Sequence, residues 1–288
     1  MCDAIPFAVG EGTHSILSVL NGAHSIGEGI LGFLTMRESN ALRGACREFR
    51  EAVMDFPWMD ANSIIKSIVE AWCEVFPAVR AVTVSKRLDI VNADFVHIHG
   101  VARARLHTVN IWECSWVTDA AFVHLRGIQF LDMKRCKQVT ITNADFMHLR
   151  GIHKLIMWGC NQATSTDAAF VHLRGIYTLY MVLCNQATIT NAAFVHLRGI
   201  NELYMAGFNQ VTITDATFVH LRGIQELYIS DCNKITITDA SFVHLRGIKE
   251  LNMSFCDEAT ITPAALSGST RSIQPFVAAT SVSLPLHL

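Results

Sequence analysis

A heptapeptide that recurs at a fixed spacing constrains this chain more than any other feature of its sequence. Phe-Val-His-Leu-Arg-Gly-Ile begins at Phe122, Phe170, Phe194, Phe218 and Phe242. A version with methionine in place of valine begins at Phe146, and a looser copy begins at Phe95. From the first exact copy to the last, the spacing is 24 residues throughout. A period in the twenties is typical of solenoid proteins, in which each repeat is one structural unit stacked on the next.

Each repeat combines two different hydrophobic periodicities. In the first half Leu179 and Met181 alternate with other residues, which predicts a short strand with one buried face. In the second half Thr166 is a suitable helix N-cap, and a short apolar run follows around Phe170. Gly175 can adopt the left-handed conformation that ends a helix. The repeat is therefore predicted to fold as strand, turn, short helix and turn.

This pattern resembles the cysteine-containing class of leucine-rich repeats, Leu-x-x-Leu-x-Leu-x-x-Cys-x-x-Ile-Thr-Asp, over residues 79–262. The resemblance implies an α/β leucine-rich repeat solenoid with a curved parallel sheet on its concave side and short helices on its convex side. Curvature is expected because strands stack about 4.8 Å apart, whereas helices are about 10 Å wide. Residues 263–288 are expected to form a degenerate capping repeat that begins at Ile273, with a tail. The predicted strand segments begin at Val79, Leu106, Ile128, Ile152, Ile176, Ile200, Ile224 and Ile248.

A cysteine follows the strand in most repeats. The column consists of Cys114, Cys136, Cys160, Cys184, Cys232 and Cys256. The same position holds Phe208 in one repeat and Arg87 in the first, and neither residue can ligate zinc or form a disulfide. We therefore interpret these cysteines as small packing residues with a weak donor, and expect no metal and no cofactor.

A histidine and an arginine also recur with the heptapeptide. Two imidazoles that share a metal must bring nitrogens within about 2.1 Å of it, whereas adjacent helices are about 10 Å apart, so a metal site is disfavoured. Packing between helices is the preferred interpretation of the histidines, which run from His97 to His244. The arginines, from Arg126 to Arg246, suit the C-terminal ends of the helices, and a weak anion-binding patch is their alternative role.

The outward strand positions vary from repeat to repeat while the rest of the unit hardly changes. Aromatic side chains of the kind enriched at binding hot spots recur there, and three glutamates follow one another at the position before the strand leucine. Cross-strand aromatic pairing is the structural alternative, but no folding gain is evident for the glutamates. We therefore expect a partner-binding concave face, with an acidic C-terminal half that suits basic groups. Its candidate residues are Trp112, Phe130, Trp158, Tyr180, Tyr204, Tyr228, Glu202, Glu226 and Glu250.

The segment before the repeats, residues 26–58, resembles an F-box. Its matching positions are Ile30, Leu31, Leu34, Leu42, Cys46, Arg47, Phe49, Val53 and Trp58, whereas the usual opening Leu-Pro is replaced by Ser25-Ile26-Gly27. The resemblance implies contacts with a Skp1-like adaptor through Ile30, Leu31, Leu34, Leu42 and Trp58. A plain helical cap for the apolar end of the solenoid is the alternative. Residues 1–25 are expected to be an N-terminal segment, and residues 59–78 a connecting helix.

Composition narrows the function further. The chain has 288 residues, 23 basic and 25 acidic side chains and a net charge of −2, so it lacks the basic excess of a general nucleic-acid binder. No apolar stretch reaches the ~18 residues that a membrane span needs, and the first fifteen residues do not resemble a signal peptide. We therefore expect no nucleic acid and no membrane, with a cytoplasmic or nuclear location rather than secretion.

The two resemblances together imply a non-catalytic substrate-recognition subunit of a Skp1-cullin-type ubiquitin ligase, with a protein target held on the concave face. The alternative is a leucine-rich repeat scaffold that binds proteins without a ligase link. An enzyme is disfavoured because the sequence contains no Gly-rich phosphate loop, nucleophile elbow or metal-ligand spacing.

Overall fold

The computed structural model describes residues 31, 34–44, 47–59, 65, 68–84, 90–100, 106–137, 140–161, 164–185, 187–208, 212–232, 238–255 and 273–274. The chain divides into two compact units. The first unit comprises residues 1–84 and 93–109, and the second comprises residues 85–92 and 110–288.

The first unit contains short helices and the first strands. Helix α1 begins with a capping box, in which the Thr35 hydroxyl accepts from the Glu38 backbone while the Glu38 carboxylate accepts from the Thr35 backbone. The helices and strands are α1 (Met36–Leu42), α2 (Arg47–Asp55), α3 (Val69–Val75), β1 (Ala81–Thr83), α4 (Phe95–Gly100) and β2 (Thr108–Asn110). Residues 59, 65 and 68 are not helical, so the connecting helix is shorter than the expected 59–78.

The second unit repeats a strand followed by a short helical segment. Its strands are β3 (Phe130–Asp132), β4 (Lys154–Ile156), β5 (Thr178–Tyr180), β6 (Glu202–Tyr204), β7 (Glu226–Tyr228), β8 (Glu250–Asn252) and β9 (Ile273–Gln274). Its α-helices are α5 (Asp119–Phe122), α6 (Asp167–Phe170) and α7 (Asn191–Phe194). The 3-10 segments are Asn92–Asp94, Val123–Leu125, Asp145–Leu149, Val171–Leu173, Val195–Leu197, Asp215–Leu221 and Asp239–His244.

Strands β3 to β9 are parallel and lie in the sheet in the order of the chain. The register pairs equivalent positions, such as Leu155 with Leu179 and Leu179 with Leu203. The hydrogen-bonded strands start two residues after the predicted segments, since β5 begins at Thr178 and not at Ile176. This arrangement confirms the expected alternation of parallel strands and short helices.

The expected caps hold the helical segments in place. The Thr166 hydroxyl accepts a hydrogen bond from the backbone of Ala168, as an N-cap does. After the helical turn Gly175 has a φ of 82°, a left-handed conformation that glycine adopts without steric strain. Phe170 and Leu173, both 1% exposed, pack on the inner side of the helical segment. These helical segments differ from the expected short α-helices in that much of each one is 3-10 in type.

The cysteine column is buried and bonded between repeats. The Cys160 thiol donates to the Met133 carbonyl at 3.0 Å, and the Cys184 thiol donates to the Met157 carbonyl at 2.9 Å. All the cysteines that the structure describes, from Cys73 to Cys232, are free thiols. The packing interpretation therefore agrees with the structure, while Cys256 lies outside the described residues.

A second link between repeats was not anticipated. Asp167 accepts from both the backbone nitrogen and the hydroxyl of Thr190 in the next repeat, each at 2.7 Å. Asn143 forms the equivalent pair with Thr166, accepting from its backbone at 2.8 Å and donating to its hydroxyl at 2.9 Å. An aspartate or asparagine at or just before the start of one helical segment thus holds the N-cap threonine of the next repeat, an arrangement that we call the Asx–Thr clasp.

Candidate functional site

The strand residues that vary from repeat to repeat lie on one side of the sheet. In β5 Leu179 is fully buried, whereas Tyr180 is half-buried and faces outward. Because the register pairs equivalent positions, the outward residues of successive strands form continuous rows. We call these rows the strand face. Its residues are Trp112, Phe130, Asp132, Lys134, Lys154, Ile156, Trp158, Thr178, Tyr180, Val182, Glu202, Tyr204, Ala206, Glu226, Tyr228, Ser230, Glu250, Asn252 and Ser254.

Three tyrosines at the centre of the strand face stack on one another. The ring centroids of Tyr180 and Tyr204 are 4.0 Å apart with an angle of 4° between the planes. Those of Tyr204 and Tyr228 are 4.4 Å apart with an angle of 15°. Contacts of this kind add about 0.5–1.5 kcal/mol per pair beyond the area that they bury. The structure therefore brings the three predicted tyrosines together as one rigid stack.

The glutamates of the strand face accept hydrogen bonds from the neighbouring rows. Glu202 accepts from the Thr178 hydroxyl at 3.0 Å, and Glu226 accepts from the Tyr204 hydroxyl at 3.0 Å. Glu250 accepts from the Tyr228 hydroxyl. The expectation that these carboxylates bring no folding gain is therefore wrong, because each one joins two adjacent repeats.

The tyrosine hydroxyls are held in the neutral form. Burial raises the pKa of Tyr204 and of Tyr228 well above the usual range, and the carboxylates that accept their protons add to the effect. The pKa of Tyr180 is also raised, chiefly by burial. The stack therefore presents neutral phenols, two of which donate to neighbouring carboxylates.

The other half of the strand face combines aromatic rings with cations. The Lys154 ammonium lies 5.5 Å from the centre of the Phe130 ring and 5.2 Å from that of Tyr180. The Lys134 ammonium lies 5.9 Å from the Trp112 ring, within the range of a cation–π contact. The strand face therefore has a cationic end at β3 and β4 and an acidic end at β6 to β8.

Sequence reasoning did not include the two lysines among the candidate binding residues. Lys134 occupies the same outward position of the repeat as Trp112, and Lys154 the same position as Glu202. Alignment of the repeats was therefore enough to identify both lysines as candidate binding residues. Lys134 also contacts Asp132 at 3.2 Å. Burial nevertheless raises the pKa of the Asp132 carboxyl, and the lysine offsets this only in part.

The residues proposed to bind an adaptor are not all available at the surface. Leu31 is 0% exposed and Trp58 is 1% exposed, so neither side chain can contact a partner in this conformation. Leu34 is half-buried. Ile30 and the side chain of Leu42 lie outside the described residues.

Trp58 instead joins the helices of the first unit to its first strand. Its indole nitrogen donates to the Val53 carbonyl at 2.9 Å. Its own carbonyl accepts from the backbone nitrogens of Arg80 and Ala81, at 2.8 and 3.0 Å. The ring also meets Phe56 and Phe76 edge to face. These contacts fix the segment before the repeats against the end of β1.

On the helical side, each arginine reaches the histidine of the next repeat. Arg174 Nε donates to His196 Nδ1 at 3.3 Å, and Arg222 Nε donates to His244 Nδ1 at 3.2 Å. Equivalent contacts join Arg150 to His172 and Arg198 to His220. Burial and the adjacent guanidinium lower the pKa values of His172, His196 and His220. The histidines thus have a packing role between repeats, together with a hydrogen bond that was not expected.

The described part of the chain contains no group of three or more His, Cys, Asp or Glu residues arranged to hold a metal ion. Among the same residues no helix is both long enough and apolar enough to span a membrane.

Comparison with solved structures supports the fold. The chain aligns with TLR13 in its complex with ssRNA13 at 18% identity and a TM-score of 0.60, covering 79% of this chain and 33% of TLR13. It aligns with a chain of the Drosophila Toll–Spatzle complex at 11% identity and a TM-score of 0.44, covering 78% and 37%. For a chain of the yeast Rad7 and Elc1 complex the identity is 12%, the TM-score 0.42 and the coverage 72% and 70%.

The α/β leucine-rich repeat solenoid predicted from the sequence is therefore confirmed. At 18% identity the likeness to TLR13 concerns the fold alone, and this chain spans about a third of the length of the TLR13 and Toll chains. No family model and no curated protein sequence matches the chain.

Proposed function

We propose that the chain is a protein-recognition module whose strand face binds a protein partner. The tyrosine stack of Tyr180, Tyr204 and Tyr228 carries this proposal, because it places three half-buried aromatic side chains side by side on a rigid sheet. Aromatic residues that are already immobilised lose little conformational entropy on binding, and tyrosine is enriched at binding hot spots.

The charge distribution of the strand face indicates which charges a partner would carry on its contacting surface. Lys134 and Lys154 lie at one end, and Glu202, Glu226 and Glu250 lie at the other. A partner with basic groups over β6 to β8 and acidic groups over β3 and β4 would complement both ends. Such complementarity fixes orientation and raises the association rate more than it raises affinity.

Alanine substitution of the tyrosines tests the binding face. We expect Tyr180→Ala, Tyr204→Ala and Tyr228→Ala each to reduce capture of a protein partner from an extract of the source cells by about tenfold or more. Leu183→Ala in the turn after β5 is the control, because Leu183 is 44% exposed and is not one of the strand-face residues. Unchanged capture by all three tyrosine variants would refute the proposal.

The more specific proposal is a substrate-recognition subunit of a Skp1-cullin-type ubiquitin ligase. It rests on the F-box-like residues 26–58, which precede a leucine-rich repeat array and are joined to it by residues 59–78. In this role the chain brings a protein target close to a ubiquitin-charged enzyme, and proximity supplies the rate enhancement. Because Leu31 and Trp58 are buried, the half-buried Leu34 is the described candidate residue through which we propose adaptor contact.

Direct binding to an adaptor tests the ligase proposal. Purified chain and a Skp1-family adaptor are titrated by calorimetry, with near-ultraviolet circular dichroism to show that the chain is folded. The proposal predicts binding at micromolar concentration or better, and loss of this binding in Leu34→Glu. A folded chain that does not bind any adaptor of its source cell at 100 µM would rule out the ligase role, whereas strand-face recognition would stand.

A scaffold without a ligase link is the second candidate, and the contacts of Trp58 favour it. The Trp58 carbonyl accepts two backbone hydrogen bonds from Arg80 and Ala81, and its ring is buried against Phe76. An element that covers the end of a solenoid needs this kind of attachment, because an open end exposes apolar side chains. Under this proposal Trp58→Ala lowers stability by about 3–5 kcal/mol, and no adaptor binds.

A further inference from the structure

On the helical side of the second unit, an apolar side chain is exposed at the same position of six successive repeats, and no described part of the chain covers these side chains. One residue per repeat contributes, and each is between 39% and 54% exposed. We call this set the valine row, and its members are Val123, Met147, Val171, Val195, Val219 and Val243. Exposed apolar patches on folded proteins commonly mark interaction sites.

A row of six arginines borders the valine row on one side, and a row of four aspartates and two asparagines borders it on the other. Arg174 follows Val171 by three residues, so the two side chains lie on the same side of the 3-10 turn. Asp167 stands at the other end of the same helical segment, seven residues before the arginine and roughly 10–14 Å away along its axis. The arginine row is Arg126, Arg150, Arg174, Arg198, Arg222 and Arg246, and the opposite row is Asp119, Asn143, Asp167, Asn191, Asp215 and Asp239.

We propose that the valine row is the interface of a two-fold symmetric dimer of this chain. When two copies meet face to face with their repeats running in the same direction, the helices of one copy lie antiparallel to those of the other. The arginine row of each copy then faces the Asp/Asn row of its partner, and the valine rows meet between them. When the repeats run in opposite directions, arginine faces arginine. The charge pattern therefore selects the parallel arrangement.

The same pattern disfavours an anionic membrane as the occupant. A uniformly anionic surface would attract the arginine row, but it would meet the carboxylates of Asp119, Asp167 and Asp215 at the other edge. Aspartates that already accept hydrogen bonds from the next repeat retain acceptor capacity, because a carboxylate has about four lone-pair sites. A second copy satisfies both edges at once.

Sedimentation velocity between 1 and 100 µM tests the proposal with the full chain. We expect a concentration-dependent dimer for the wild type and at least tenfold weaker dimerisation for Val195→Glu. The control is Leu183→Glu, because Leu183 is 44% exposed outside the valine row, and its dimerisation is expected to be unchanged. Circular dichroism verifies that both variants are folded. A wild-type chain that is monomeric at 100 µM, or a dimer that survives Val195→Glu, would overturn the proposal.

Charge exchange at one repeat tests the orientation. Asp119 has a hydrogen bond with the adjacent Ala120 backbone and does not join two repeats as Asp167 does, so its replacement leaves the Asx–Thr clasp intact. Asp119→Lys and Arg126→Glu should each weaken the dimer about tenfold or more, and the double variant should restore it. If Arg126→Glu strengthens the dimer, or if the monomer binds vesicles with 30% phosphatidylserine in place of dimerising, the parallel dimer is wrong.

Discussion

The cysteine that follows the strand in most repeats shows how a single side chain contributes to the stacking of repeats. It fills a buried position, and its thiol donates to a carbonyl of the preceding repeat, as in the contact from Cys184 to Met157. Phe208 fills the same position in another repeat and is fully buried as well. The position therefore requires volume first and a donor second.

Burial makes these thiols unreactive. It raises the pKa of Cys136 and of Cys184 to about 12, so the thiolate that reacts with alkylating reagents is rare at pH 8. We expect neither residue to be modified by iodoacetamide in the folded chain within an hour, and both to be modified in 6 M guanidinium chloride. Mass spectrometry of tryptic peptides measures this. Rapid modification of the folded chain would show that these positions are open to solvent.

The role of the cysteine column followed from the sequence because one repeat tolerates phenylalanine there. The role of Glu226 could not be inferred from the sequence. A run of glutamates at equivalent positions suggests repulsion, and the sequence does not show which side chains donate hydrogen bonds to them. The hydrogen bond from Tyr204 depends on side-chain directions across two strands. Those directions are set only when the register of the sheet is known.

At the scale of the element, neighbouring repeats are joined by the Asx–Thr clasp. Either aspartate or asparagine serves, since Asp167 holds Thr190 and Asn191 holds Thr214. Asparagine can reproduce the geometry because its carbonyl accepts from the backbone while its amide donates to the hydroxyl. The alternation of the two residues in the sequence is explained by this equivalence.

Substitution of Asp167 tests the clasp. Asp167→Ala removes two hydrogen bonds to Thr190 and should lower the free energy of unfolding by about 1–3 kcal/mol. Asp167→Asn is the matched control and should lose less than about 1 kcal/mol, because Asn143 and Asn191 already fill this role. Urea denaturation followed by circular dichroism gives both values, and equal losses for the two variants would contradict the clasp.

The arginine–histidine contacts add a dependence of stability on pH. The pKa values of His172, His196 and His220 are lowered in the folded chain, so the unfolded chain binds protons first as the pH falls. Stability is therefore fully present above the unfolded value of about 6.5 and is lost as the pH falls below it through the folded values. Urea midpoints between pH 8 and pH 5 should decrease over this window.

Proton NMR titration of the histidines tests whether a single arginine–histidine contact lowers the pKa of the histidine. The His196 ring should titrate below its usual range in the wild type. In Arg174→Gln the value should rise, because the guanidinium that disfavours the protonated ring is gone, whereas burial remains. Asp167, which favours the protonated form, is still present in both chains. An unchanged His196 titration in Arg174→Gln would show that the contact has no electrostatic effect.

At the scale of the whole molecule, the repeats interact mainly with their neighbours. Deletion of one complete period, residues 176–199, joins Gly175 to Ile200 and leaves every type of contact between repeats in place. Deletion of residues 176–187 removes half a period and places helical residues where a strand must pair. We expect the first deletion to fold with lower stability and the second not to fold, as measured by circular dichroism and thermal melting.

The sequence was sufficient for the fold because a strict 24-residue period fixes the register of all its copies. The same period also predicted which residues lie on the strand face, because alternation within a strand identifies its outward side. It was not sufficient for the segment before the repeats. There, Leu31 and Trp58 match an F-box pattern, but an apolar match cannot tell a residue that contacts an adaptor from one buried in its own unit.

Site-specific photo-crosslinking tests the central claim, that the strand face binds a protein partner, most directly. A photoreactive phenylalanine is placed at Ser230, which lies on the strand face beside the tyrosine stack, or at Ala187, an exposed residue between a strand and the following helix. We expect the probe at residue 230 to crosslink one partner protein in source cells, the probe at residue 187 to crosslink none, and Tyr204→Ala to abolish the product. Equal products from both positions, or a product that Tyr204→Ala leaves unchanged, would contradict the account.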